Sequence, residues 1–210
     1  MMASPSLPRP LLLCASLAAL LAGCGPLVQV GGNSHPPAEL YTLSAPPPPS
    51  VPVGVKPLDM ASAVTVDIPS VPGALQTMRI PVNVSDTSIQ YLVGAQWSEQ
   101  PNRLFQRLLA DRLTAGHVAV IDQRSSGQTG GRRLTGQLLA FGVDARAGRQ
   151  VQVRYDATLT GRDGVRQRRF ERSLPLSGIE GAEVARALNE VANAVAADVA
   201  LWVSANAGVS

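Results

Sequence analysis

The sequence predicts an α+β fold: a mainly antiparallel sheet with two amphipathic helices packed on one of its faces. Three observations carry that expectation. Pro101 to Leu113 and Val184 to Trp202 repeat apolar residues at helical spacing. Three segments between them, Leu134 to Val143, Val151 to Thr160 and Val165 to Leu174, read as long strands joined by turn signals. Helices with one apolar stripe each need a surface to bury it, and a sheet beside them supplies one.

Taken in order, the domain proper begins near Ala61. Val64, Val66 and Ile68 alternate with Thr65 and Asp67, the pattern of a half-buried strand. Gln76 to Ile80 and Ser88 to Val93 are weaker strands, separated by Pro81 and Asp86. Ser98-Glu99-Gln100-Pro101 reads as a helix start, with a capping hydroxyl, an early acid and a proline where no amide partner is needed. Leu104, Phe105, Leu108, Leu109 and Leu113 form its buried stripe, and Gly116 closes it as a left-handed cap. His117 to Ile121 returns as a strand, followed by the loop Ser125 to Gly131. Leu134 to Val143 is apolar on nearly both faces, which suits a central strand. In the next strand Val151, Val153, Tyr155, Ala157 and Leu159 face one way and Gln152, Arg154, Asp156 and Thr158 the other. Gly161-Arg162-Asp163-Gly164 is a hairpin turn, so these strands form an antiparallel meander. The last helix carries Val184, Leu188, Val191, Val195, Val199 and Trp202 on one face.

Composition narrows the rest. The 210 residues are 45% hydrophobic and 16% charged, with a net charge of +3, which argues against a wholly disordered chain. No apolar run reaches the roughly 18–20 residues of a membrane-spanning helix. Two cysteines and two histidines leave little material for a disulfide framework, an iron–sulfur cluster or a zinc cage, so no cofactor or metal is expected.

The first residues place the protein in a cell. Arg9 precedes the apolar run Leu11 to Ala22, and Leu21-Ala22-Gly23-Cys24 ends it as a lipobox. Residues 1–23 therefore read as a lipoprotein signal peptide, and the Cys24 sulfur as the atom that takes the lipid. Cleavage would leave Cys24 first and remove Cys14, so no disulfide is expected. Gly25 follows, where an acidic residue would favour retention at the inner membrane in many Gram-negative bacteria. The periplasmic face of the outer membrane is thus the expected site. Residues 24–60 form a proline- and glycine-rich tether with a short strand near 39–43, and 61–206 the domain. About fifteen residues of tether reach roughly 50 Å.

Catalytic chemistry is not expected. His35 lies in the tether and His117 at a strand start, leaving no general base beside a nucleophile. HExxH, CxxC and GxxxxGK[ST] are absent from the sequence. Asp163 and Glu171 are explained by a turn and an exposed strand.

Charge is more telling. Arg146, Arg149, Arg154, Arg162, Arg166, Arg168, Arg169 and Arg172 face only Asp156, Asp163 and Glu171 within the same stretch. Such a run suggests nucleic acid in the cytoplasm, but the lipoprotein signal argues against a nucleic-acid partner. Arg154, Arg162, Arg166, Arg168, Arg169 and Arg172 are candidate contacts for an anionic partner: lipid headgroups or an acidic protein surface. The competing reading is a solvated face, in a chain with 17 arginines and one lysine.

With these residues in hand, the chain resembles the ABC-type transport auxiliary lipoproteins of the PqiC/YmbA-like group. The lipobox at Cys24, Tyr41-Thr42-Leu43, the stretch Tyr91-Leu92-Val93-Gly94-Ala95-Gln96-Trp97 and the helix after it carry the likeness over residues 39–204. The resemblance implies a lipid-anchored accessory of a mammalian-cell-entry (MCE) transport system, moving lipids between inner and outer membranes. It also implies an MCE-domain partner, ATP hydrolysis in another subunit, and homo-oligomerisation. A general envelope scaffold binding an outer-membrane or peptidoglycan partner is the alternative.

Overall fold

The computed structural model describes residues 39–47, 59–121, 127 and 130–207. The leader, Cys24, the tether to residue 38, most of the proline-rich stretch and most of the 125–129 loop lie outside the described residues. Strands β1 (Glu39–Tyr41), β2 (Val64–Val66), β3 (Arg79–Asn83), β4 (Ile89–Trp97), β5 (Val120–Ile121), β6 (Arg132–Asp144), β7 (Gln150–Gly161) and β8 (Gly164–Pro175) form one sheet. Helix α1 is Pro101–Ala115 and helix α2 is Gly181–Ala207.

Strand β6 is the spine. On one side it pairs antiparallel with β7, and β8 continues beyond β7. On the other, β2 joins the start of β6 and β3 joins its end, both parallel. β5 lies outside β2, while β4 and then β1 lie outside β3. The sheet is therefore mixed rather than mainly antiparallel. Antiparallel pairing belongs to β3–β4 and to the β6–β7–β8 meander, whose strands follow one another through short turns. β1–β4, β2–β5, β2–β6 and β3–β6 are parallel, because long stretches of chain separate the paired strands and bring them back in the same direction.

One face of the sheet holds the core. Val151, Val153, Tyr155, Ala157 and Leu159 are buried, while the alternate residues of β7 stay partly open, as the period of two dictates. Over that face lies α2, burying Val184, Leu188, Val191, Val195 and Val199. α1 buries Leu104, Phe105, Leu108, Leu109 and Leu113, and packs against α2. Phe105 meets Tyr155 edge to face at 5.2 Å, which fixes α1 on the same side.

Polar bonds tie the helices to the first strand. The Arg112 Nε donates to Asn193 Oδ1 (3.1 Å), and Asn193 Nδ2 donates to the Ser44 carbonyl (2.9 Å). The Ser44 amide in turn donates to Asn189 Oδ1 (2.9 Å). Asn193 is buried, so these bonds satisfy a side chain that water cannot reach.

Several local expectations need correction. β2 is buried on both faces rather than one: Thr65, on the second face, is closed off by the Gly130 main chain, whose amide donates to Thr65 Oγ1 at 2.9 Å. Pro81 lies inside β3 rather than ending a strand, at a register shift where a missing N–H costs little. The same shift sets Leu92 to Ala95 against Ile80, and Gly94 takes φ +73° in the bulge that leaves Val93 88% exposed. Gln100, not Ser98, occupies the N-cap of α1 and makes no side-chain cap bond. At its other end Gly116 has φ −83°, and His117 takes the positive φ of 60°.

Tyr155 owes its place to a missing side chain. A Cβ on Gly136 would stand 2.6 Å from the Tyr155 ring and 2.3 Å from the Asp156 carbonyl oxygen. Packed there, the Tyr155 hydroxyl donates to the Thr135 carbonyl at 3.0 Å. Gly136→Ala should therefore destabilise the fold by about 1–3 kcal/mol, read as a lower urea midpoint with an unchanged slope.

Candidate functional site

The arginines singled out in the sequence fall on and around the β7–β8 hairpin, and the period of two divides them between its faces. Arg154 and Arg169 lie on the open face. Each stands directly across from a carboxylate, Arg154 from Glu171 and Arg169 from Asp156. Arg154 Nε and Nη2 donate to the two Glu171 oxygens at 2.9 and 2.8 Å. Arg169 does the same to Asp156 at 2.7 and 2.6 Å. Two forked pairs thus cross the hairpin side by side.

Arg166, Arg168 and Arg172 take the other face. Their cross-strand partners are Leu159, Ala157 and Val153, all buried. Three arginines of β8 therefore project on the helix side, at the margin of the core. Arg172 reaches Asp198 on α2, with Nε and Nη2 at 3.0 and 2.7 Å from one carboxylate oxygen. Arg166 pairs with Asp163 in the turn. Arg168 lies over the Phe170 ring, 5.1 Å from its centre, and Phe170 in turn meets Trp202 of α2 at 5.6 Å. Arg162 is exposed in the turn itself. Among the described residues neither Arg162 nor Arg168 has an ion-pair partner.

The hairpin is held at its turn by Arg132 of β6. Its Nη1 donates to Asp163 (3.2 Å) and to the Asn206 carbonyl (2.9 Å), joining the turn to the last turn of α2. A cation suits a helix C-terminus, where unpaired carbonyls concentrate negative charge.

Two shallow depressions flank the strand. One, of about 590 Å³, lies along β6, β7 and β8 and is lined by Thr135, Gln137, Asp156, Thr158, Gln167 and Arg169. The other, of about 440 Å³, lies between β8 and α2, lined by Arg168, Arg172, Asp198, Leu201 and Trp202. Leu201 is 72% exposed there.

Charge pairing sets the protonation of the hairpin. The bond from Arg169 holds the Asp156 carboxyl below its usual range, and Arg154 does the same for Glu171. At the other end of β7, Arg146 lowers Asp144, a buried carboxylate. Sequence spacing pointed to the arginine run. It did not reveal Asp198, Trp202 or Arg132 as partners, because each lies 26 or more positions along the chain from the hairpin residue it meets, and the two come together only through packing.

Cys24 lies outside the described residues. Of the aromatic residues in the Tyr91–Trp97 stretch, Trp97 is fully buried, 5.4 Å from Phe141. Tyr91 is half-buried at the β3–β4 hairpin, with Arg79 over its ring at 4.4 Å.

Comparison with known proteins adds a family. A family model described as "ABC-type transport auxiliary lipoprotein component" matches residues 41–200. A crystal structure of a Xanthomonas campestris protein, assigned to DUF330, superimposes with a TM-score of 0.67 at 18% identity, covering 81% of this chain and 97% of that one. The crystal structure of an uncharacterized protein gives a TM-score of 0.59 at 17% identity, covering 70% and 94%. At these identities the likeness is one of fold. No curated protein matches the sequence.

Because Asp144, Asp156 and Glu171 titrate lower in the fold than in the unfolded chain, they contribute stability above about pH 4 that is lost as pH falls through their folded values. The urea midpoint should be level from about pH 7 to 5 and fall below about pH 4. Substituting Asp156→Asn together with Glu171→Gln should lower the neutral-pH midpoint slightly and flatten the acid limb.

Proposed function

The chain belongs to the family of ABC-type transport auxiliary lipoprotein components, and on that premise we propose that it serves as the lipid-anchored accessory subunit of an MCE-type transport system. The acyl anchor is on Cys24, and the domain faces the periplasm from the outer membrane. It docks an MCE-domain protein, and ATP hydrolysis belongs to a separate subunit of the transporter. Lipid passing between the inner and outer membranes is the cargo of the system. A homo-oligomer is the expected working form.

The observation that carries this reading is the family match, which spans the sheet, α1 and most of α2. Two features of the chain support it. The lipobox places a lipidated sulfur ahead of the tether. The point where that N-terminal stretch joins the domain is held at two levels. β1 pairs with β4 from Glu39 to Tyr41, and Ser44 is bonded to Asn189 and Asn193 of α2.

Labelled palmitate should enter the wild-type protein and be absent from Cys24→Ala, which should also leave the membrane fraction. Solubilised membranes should yield the wild-type protein together with an MCE-domain protein and permease or ATPase subunits. Recovery with peptidoglycan or outer-membrane proteins alone would assign it to envelope scaffolding instead.

A further inference from the structure

Strand β8 ends the sheet. Among the described residues it pairs with β7 from Gly164 to Pro175 and with no other strand. Alternate main-chain N–H and C=O groups of β8 therefore point away from the sheet, ready to bond a further strand. The other two margins are shorter: β1 has three residues, beside which β4 is open from Ile89 to Gly94 across a bulge, and β5 has two. At 12 residues, β8 is the long open edge.

Its side chains determine what could settle there. Arg166, Arg168 and Arg172 stand on the helix side and Arg169 on the open side, so an added strand would meet arginine on both of its faces. A second β8 laid against the first would bring arginines together, and like charges across a strand pair are destabilising. Carboxylates would be welcome at the same positions. Arg168 has no carboxylate partner among the described residues and is braced on Phe170. The side chains of Arg169 and Arg172 are 58% and 56% exposed, so their present pairs are surface pairs that contribute little and can be exchanged. Beneath the edge, Leu201 and Trp202 offer apolar contact to alternate side chains of the incoming strand.

We propose that the β8 edge takes up an extended acidic segment of a partner protein by strand addition. Main-chain bonds supply the affinity. The arginines select acidic strands and reject a second copy of this chain. The inference rests on the reading of the protein as an accessory that works by docking other proteins, and it names where and how one of them binds.

The test uses the full-length protein in detergent and a fluorescein-labelled ten-residue peptide of alternating glutamate and valine. Anisotropy should report saturable binding that weakens as salt is raised. Amide hydrogen exchange at alternate positions of β8 should slow at least tenfold in the complex. Arg168→Glu with Arg172→Glu should weaken binding at least tenfold, while Arg168→Lys with Arg172→Lys should keep it within threefold. Should the reversed variant fail to fold, the same peptide with every main-chain amide N-methylated decides the matter on the wild type, since it keeps the charge and has no N–H to donate to β8. Equal affinity for that N-methylated peptide, binding without protection of β8, or no binding at all would overturn the proposal. Protection of β8 by phosphatidylglycerol vesicles and not by the peptide would overturn it too, and assign the edge to lipid. Co-purification of transporter subunits alongside any of these negative results would leave the accessory role standing and remove only the edge.

Discussion

A sheet whose helices lie on one face must find enough apolar surface on that face to hold its strands together. Here the requirement falls on the seam between β7 and α2. Val151, Val153, Tyr155, Ala157 and Leu159 present one buried row, and α2 answers with Val184, Leu188, Val191, Val195 and Val199. Each valine or leucine among them contributes roughly 1.5–3 kcal/mol when buried, so the seam outweighs any single polar contact in the domain. α1 is drawn into the same core through Phe105, which meets Tyr155, and Tyr155 can lie flat because Gly136 has no side chain. The long strands, both helices and the glycine are parts of one packing solution.

The open face follows from the same constraint. Once one row of β7 is buried, the other row must live in water, and Arg154 and Asp156 occupy it. Their partners on β8 stand directly opposite, so the face binds its own charge in pairs across the strands. A run that reads in the sequence as concentrated positive charge is therefore largely matched within the fold. What is left over is local: Arg168 on Phe170, Arg162 in the turn, Arg149 ahead of β7, and the exposed guanidinium groups of Arg169 and Arg172. The anionic-partner reading thus narrows from a patch to an edge.

Membership in a family of transport auxiliaries agrees with a domain whose distinctive features are margins rather than a cleft. Its depressions are shallow, and Val93, the most exposed large apolar side chain among the described residues, sits on a bulge. The buried polar bonds are spent on joining parts: Asn193 links both helices to the segment after β1, and Arg132 fastens the β7–β8 turn to the end of α2.

What the sequence determined by itself is whatever depends on periodicity. The stripe of α1, the stripe of α2, the alternation in β7 and the turn at Gly161 to Gly164 are local patterns, and a local pattern is enough to specify a helix, a strand or a hairpin. The reading of Leu21 to Cys24 as a lipobox rests on the same kind of local signal, four adjacent residues. The tertiary structure decided everything that depends on which strand lies beside which. Three residues of β2 cannot announce that β5 and β6 will enclose them, and Pro81 cannot announce the register shift that tolerates it. Nor could the sequence divide the arginines of β8 between two faces and supply Asp198 to one of them. Pairing and ion partners are set by chain-distant contacts that form only when the apolar seam closes, and no spacing along the chain encodes them.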